Sequence, residues 1–155
     1  MNRDFLREAI RLSLEKMEAG EGGPFGAVVV RGGQIVGRGW NRVTSANDPT
    51  AHAEIVAIRE ACARLNTFSL AGCEIYTSCE PCPMCLAAIY WARLERIYYA
   101  ATCQDAAAAG FDDGNFYREL TAPPGSRSIP MVQDLRQEAC EAFRTWLGKA
   151  DRVAY

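Results

Sequence analysis

The chain has 155 residues, 49% apolar and 23% charged, a size and balance that fit one compact domain and exclude a disordered or collagen-like chain. A net charge of −2, just two lysines (Lys16 and Lys149) and no basic run lack the electrostatic footprint of a nucleic-acid binder. No apolar run, the one through Cys85 to Ala92 included, comes near the ~20 residues that span a membrane.

Asp4 to Ala19 reads as an amphipathic helix, with Phe5, Ala9 and Leu12 in one row and Leu6, Ile10, Leu14 and Met17 in another. Strands at Ala27 to Arg31 and Gln34 to Trp40 flank Gly32-Gly33, the signature of a hairpin. Asn41 to Thr50 is a polar loop in which Asp48 or Thr50 can cap the helix from His52 to Leu65. A short strand at Glu74 to Thr77 leads through Ser78 to Pro83 into a helix at Met84 to Ala92. That helix is apolar nearly all round, so it should be covered on both sides, by its own sheet and by a second subunit. Arg96 to Ala100 is a fourth strand, and Asp105 to Ala109 a short helix. Gly110-Phe111-Asp112-Asp113-Gly114 looks like a functional loop. An edge strand at Ile129 to Val132 precedes a last helix with Leu135, Ala139, Ala142 and Trp146 on one face. The order αββαβαβ, with a closing helix, implies a mixed sheet between helices.

Seven cysteines, at 62, 73, 79, 82, 85, 103 and 140, form an odd set without the spacing of a secreted disulfide scaffold. Arg3, Asp4, Arg7 and Glu8 leave no apolar signal core. Both features predict a cytoplasmic protein whose cysteines serve metal binding, catalysis or packing.

The single histidine, His52, lies in Thr50-Ala51-His52-Ala53-Glu54, and Pro81-Cys82-Pro83-Met84-Cys85 follows. An imidazole and two thiolates are good zinc ligands, and three protein ligands with an open position are the catalytic arrangement. Both motifs fall in the first turn of an expected helix, where the positive helix end favours thiolates. Glu54 is ~200° from His52 in a regular helix, but at a helix start both side chains can lean toward a metal set beyond its end. There the carboxylate can accept and pass on the proton of a water acidified by zinc. The pattern is the H-x-E…P-C-x-x-C signature of zinc deaminases. Three other readings stay open. A thiol redox CxxC leaves His52 and Glu54 unused. An iron–sulfur run through Cys79, Cys82 and Cys85 would need a fourth ligand where Ile89 stands. A structural zinc module would use Cys79 or another thiol to close the tetrahedron. The motif order favours catalytic zinc, with Cys79 a packed thiol and Cys62, Cys73, Cys103 and Cys140 small buried apolar residues.

With these motifs, the chain resembles the cytidine deaminase-like superfamily, and within it the small bacterial guanine deaminases. The stretches that carry the likeness are Gly22-Gly23-Pro24-Phe25-Gly26-Ala27-Val28, Asn47-Asp48-Pro49-Thr50-Ala51-His52-Ala53-Glu54 and Tyr76-Thr77-Ser78-Cys79-Glu80-Pro81-Cys82-Pro83-Met84-Cys85. Ala88-Ile89-Tyr90-Trp91-Ala92-Arg93, Ala109-Gly110-Phe111-Asp112-Asp113 and the terminal Tyr155 complete it.

The resemblance implies a three-layer α/β/α fold with a mixed central sheet and a C-terminal helical segment, in a single deaminase domain over 1–155. It implies hydrolysis of guanine at C2 to xanthine and ammonia, with one Zn2+ per subunit held by His52, Cys82 and Cys85 and with Glu54 moving the proton. Guanosine, cytosine, adenosine in tRNA or a triazine such as ammeline are the alternative substrates. Phe25, Asn41, Trp91, Phe111, Asp113 and Tyr155 fall where family members contact the base, and Asp113 can also relay a proton to the leaving ammonia. A homodimer is implied too, whose C-terminal segment, about 133–155, crosses to the partner and closes its active site. From the residues alone, the three aromatics Phe25, Trp91 and Phe111 read equally as core or interface, Asn41 as a turn residue, and Asp112 and Asp113 as solvated loop carboxylates.

Overall fold

The computed structural model describes residues 1–154. In the first of two compact units, Met1–Asp113, Asn2 caps α1 (Arg3–Glu18) by accepting from the Asp4 amide at 2.9 Å. β1 (Gly26–Arg31) and β2 (Gln34–Trp40) pair antiparallel across Gly32-Gly33, where both glycines take positive φ. The short α2 (Val43–Ala46) follows, then α3 (Ala53–Leu65), β3 (Cys73–Cys79), α4 (Pro83–Trp91), β4 (Arg96–Ala101) and α5 (Cys103–Ala108). The strands lie in the order β2-β1-β3-β4, with β1 antiparallel to β3 and β3 parallel to β4, so the sheet is mixed as expected.

Alternation along the strands sorts the core into two faces. Val28, Val30 and Tyr76 pack with Leu12, Phe5 and Leu6 of α1. Ala27, Val29 and Ile75 pack with Ala53, Ala57 and Ala61 of α3 and with Ile89 of α4. Helices on both faces make three layers. Register then gathers the site at one rim. Gly26 stands opposite Trp40 and Ala27 opposite Thr77, which puts the end of β2, the start of β1 and the end of β3 together. α4, the crossover between the parallel β3 and β4, begins at that rim, where open α/β sheets bind ligands.

The structure corrects several expectations within this unit. The 41–50 stretch is not all loop, because α2 forms there and Asn47 ends it in the left-handed conformation (φ 49°). Neither Asp48 nor Thr50 caps α3. Asp48 Oδ1 instead accepts from the amide and hydroxyl of Thr50, at 2.8 and 2.7 Å. On α4, by contrast, one face packs on the chain's own sheet as expected, with Cys85 and Ile89 buried, and Tyr90 and Trp91 are exposed on the single chain. Of Cys62, Cys73 and Cys103, only Cys73 is buried, and the other two are half-buried.

The second unit begins at Gly114 and holds α6 (Gly114–Thr121), a 3-10 turn (Pro124–Ser126) and α7 (Arg136–Gly148). The loop expected through Gly114 thus runs straight into a helix. Glu119 accepts from the Ser128 amide at 2.9 Å, and the Ala122 carbonyl accepts from Arg127 at 3.2 Å, turning the chain back along α6. Ile129 to Val132 forms no strand. Pro130 lacks an amide donor, and Ile129, Met131 and Val132 are exposed without a ladder to join. Leu135 is not on the α7 face expected of it but precedes the helix as its N-cap, at φ 51°. Cys140 is half-buried, and Phe143 and Leu147 are exposed. Among the described residues, no helix is long and apolar enough to cross a membrane.

Candidate active site

His52 is the N-cap of α3 (φ −68°, ψ 156°) and Cys82 the N-cap of α4 (φ −64°, ψ 168°), both with extended backbone and neither side chain used for capping. The two side chains are therefore free to meet beyond the helix ends, and Cys85 joins them from the first turn of α4. Nδ1 of His52 lies 3.6 Å from Cys82 Sγ and 3.5 Å from Cys85 Sγ. A tetrahedral zinc with arms of ~2.3 Å to sulfur and ~2.05 Å to nitrogen has an S···N edge of about 3.6 Å. The three donors, all within 4.8 Å of one another, fit that ion without rearrangement.

Cys79 stays outside the cluster. Its Sγ donates to the Thr102 carbonyl at 3.5 Å, and burial pushes its thiol up to about 11, so it remains protonated. Cys82 goes the other way. The hydrogen bond from Cys85 holds it down at about 4, against the cost of burial and with help from His52. Cys85 is correspondingly held up, by that same bond and by burial. His52 is raised chiefly by its hydrogen bond with Cys82. The positive ends of α3 and α4 converge on this negative charge.

Glu54 is buried (8% exposed) in the first turn of α3, its Oε2 accepting from Cys85 Sγ at 3.4 Å. The ~200° objection from helical geometry disappears because His52 stands outside the helix while Glu54 is inside it. Burial raises the Glu54 carboxyl, as suits a group that must both take and give a proton.

The structure brings most of the expected base-contacting residues to the same rim. The Phe25 carbonyl accepts from the Asn41 amide at 3.0 Å, and the Phe25 and Phe111 rings meet edge to face at 4.9 Å. Burial raises the Asp113 carboxyl, and the charge of Cys82 adds to the shift. Asn41 is buried, and its Oδ1 accepts from the amides of Gly23 (3.1 Å) and Val43 (3.2 Å). The turn-residue reading of Asn41 is thus met by its oxygen, while Nδ2 is the group it can offer a ligand. Trp91 is not brought in. It ends α4, 62% exposed, about 13 Å of helix rise beyond Cys82. Tyr155 lies outside the described residues. Ser78 escapes a sequence reading, yet its Oγ accepts from the Gly26 amide at 3.0 Å and fixes the strand carrying Phe25. Only the β1–β3 register reveals that contact.

The arrangement, in which two helix starts present an imidazole and two sulfurs beside a sheltered carboxylate, is that of the zinc-dependent deaminases. The family model of the cytidine and deoxycytidylate deaminase zinc-binding region matches residues 1–101, and the chain belongs to that family. Over 156 residues it is 51% identical to the guanine deaminase of Bacillus subtilis (strain 168), covering all of both chains. The X-ray structure of guanine deaminase from Bacillus subtilis superposes with a TM-score of 0.97 at 51% identity, covering 100% of this chain and 99% of that one. A guanine deaminase from Nitrosomonas europaea superposes with a TM-score of 0.67 at 33% identity, over 91% of this chain and 81% of that one. A tRNA-specific adenosine deaminase from Aquifex aeolicus is 46% identical over 97 residues, which are 63% of this chain and 64% of that protein.

Proposed function

We propose that this protein hydrolyses guanine to xanthine and ammonia with one zinc ion per subunit. The observation that carries the reading is likeness over the whole chain to a guanine deaminase, joined to a three-donor cluster with a buried glutamate against it. The tRNA-directed relative is matched over 63% of the chain only, and this chain has no basic run for a nucleic acid.

His52, Cys82 and Cys85 hold the ion. When bound, zinc acts as a Lewis acid and brings the pKa of a water to about 7. Glu54 would take one proton from water and hand it to the ring nitrogen beside C2, and would carry water's second proton to the departing amine. In net terms C2 of the base would exchange its bond to the exocyclic nitrogen for a bond to a water oxygen, and ammonia would leave. Asp113 accepts from ring N–H groups or passes a proton to the ammonia. Asn41, its oxygen already committed, donates from Nδ2 to an acceptor on the ring edge. Phe25 and Phe111 cover the planar purine, where base–aromatic stacking is worth ~1–3 kcal/mol.

Trp91 and Tyr155 complete the site across a subunit boundary. The protein is a homodimer of the cytoplasm, and its segment from about 133 to 155 crosses to the partner. Both units expose the apolar surface such an exchange needs. The first carries a groove of about 390 Å³ lined by Ile10, Leu14, Phe25, Ala101 and Phe111, and the second exposes Phe143 and Leu147.

Zinc-loaded protein mixed with guanine is expected to release xanthine and ammonia in equal amounts, and intact guanine counts against the reading. Guanosine is expected to turn over far more slowly, since a closing segment leaves little room for ribose. Light scattering that finds a monomer would sink the dimer.

A further inference from the structure

Outside the metal cluster, one carboxylate joins the two halves of the site. Glu80 lies in the loop between β3 and the Cys82 ligand. Its backbone amide donates to the Ala101 carbonyl at 2.9 Å, carrying the β3–β4 pairing one residue past the sheet. Its side-chain Oε2 accepts from the backbone amide of Cys103 at 3.1 Å. Cys103 is the first residue of α5, so this amide has no partner inside its own helix. Thr102 and Asp105 exchange the other hydrogen bonds of that helix start and do not use it.

α5 is the stalk of the purine wall. It ends at Ala108 with Ala109 as its C-cap, the chain turns at Gly110, held at φ 94°, and the Phe111 amide donates back to the Ala106 carbonyl at 3.0 Å. The Phe111 ring meets that of Phe25 at 4.9 Å, and Asp113 follows two residues on. A rigid path thus runs from the metal loop through Glu80 into α5 and out to Phe111 and Asp113.

We propose that Glu80 is a positioning residue, whose carboxylate locks α5 to the metal loop and so sets where Phe111 and Asp113 stand relative to the ion. Glu80 touches neither the metal nor the base. It acts through the Cys103 amide. The role rests on the guanine reading for its kinetic consequence but not for its structural one.

The test removes each partner of the bond in turn. Glu80→Ala deletes the acceptor, while Glu80→Gln keeps a carbonyl oxygen that can accept. Cys103→Pro deletes the donor. Proline is tolerated at the first helical position, and Thr102, at φ −93° and ψ 167°, already has the extended backbone required before it. Cys103→Ala retains the amide and controls for the thiol. Glu80→Ala and Cys103→Pro are each expected to speed hydrogen exchange over 103–113 and leave it unchanged over 53–65. Each should raise KM for guanine about ten-fold, with one zinc retained per subunit. Glu80→Gln and Cys103→Ala should stay within about two-fold of the parent in KM, and the double variant should be no worse than either single one. Unchanged exchange over 103–113 in Glu80→Ala overturns the proposal. So does a Glu80→Gln variant as impaired as Glu80→Ala, or loss of zinc from Glu80→Ala. If the parent protein ignores guanine, the functional reading fails while the exchange measurement still judges Glu80.

Discussion

Gly39 of β2 lies directly against the Ala53 carbonyl of α3, so close that a Cβ at position 39 would stand 2.0 Å from that oxygen and 2.5 Å from the Ala57 nitrogen. Gly37 repeats the approach one helical turn on, 2.3 Å from the Ala57 carbonyl. Two bare backbones therefore seat α3 on the sheet, and with it the N-cap His52 and the first-turn Glu54 come to the rim. Gly39→Ala meets only backbone, which no rotamer change can relieve. It is expected to lift α3 at a cost of about 1–3 kcal/mol and to weaken zinc retention. Thermal denaturation and metal analysis check this, and an unaltered midpoint with full zinc refutes it.

His52→Ala is expected to lose zinc together with activity. The remaining pair of sulfurs lacks the third donor, the one from which the 3.5 and 3.6 Å contacts run. Metal content after dialysis is the measurement, and tight stoichiometric zinc in the variant contradicts the assignment.

Glu54→Gln separates proton transfer from metal binding. It should keep zinc, because the carboxylate neighbours the donors without being one of them, while guanine turnover falls by about 10²–10⁴-fold or more. A variant with near-parental turnover removes Glu54 from the mechanism.

Glu8 predicts an acid limb of stability remote from the site. The hydrogen bond from Arg11, opposed by burial and supported by Arg38, holds its carboxyl at about 2 against an ordinary 4.5. A carboxyl depressed by folding stabilises the native state above its unfolded value, and that stabilisation drains away as pH falls through the folded one. Urea midpoints should therefore drop between about pH 4.5 and pH 2, and Glu8→Gln should flatten that part of the curve. Both arginines are well exposed, with side-chain exposures of 48% and 42%, so added salt should shrink the difference. Parallel curves for parent and variant would discard the assignment.

The three metal donors and the carboxylate beside them were legible from residue types alone, because few side chains bind zinc and the helix starts at His52 and Cys82 announce themselves in Thr-Ala-His-Ala-Glu and Pro-Cys-Pro-Met-Cys. The four strands and the helices α1, α3 and α4 were legible for a related reason. Apolar periodicity and glycine turns act over a few neighbouring residues. Tertiary structure alone decided what depends on distant partners. Ile129 to Val132 has strand-forming residues but no ladder to pair with. Trp91 shares a motif with the site yet stands at the far end of α4. Asn41 has its oxygen fixed by Gly23 and Val43, and Glu80 reaches Cys103 across 23 residues. A side chain's identity limits the bonds it can make, but which partner is within reach is set by how the whole chain packs.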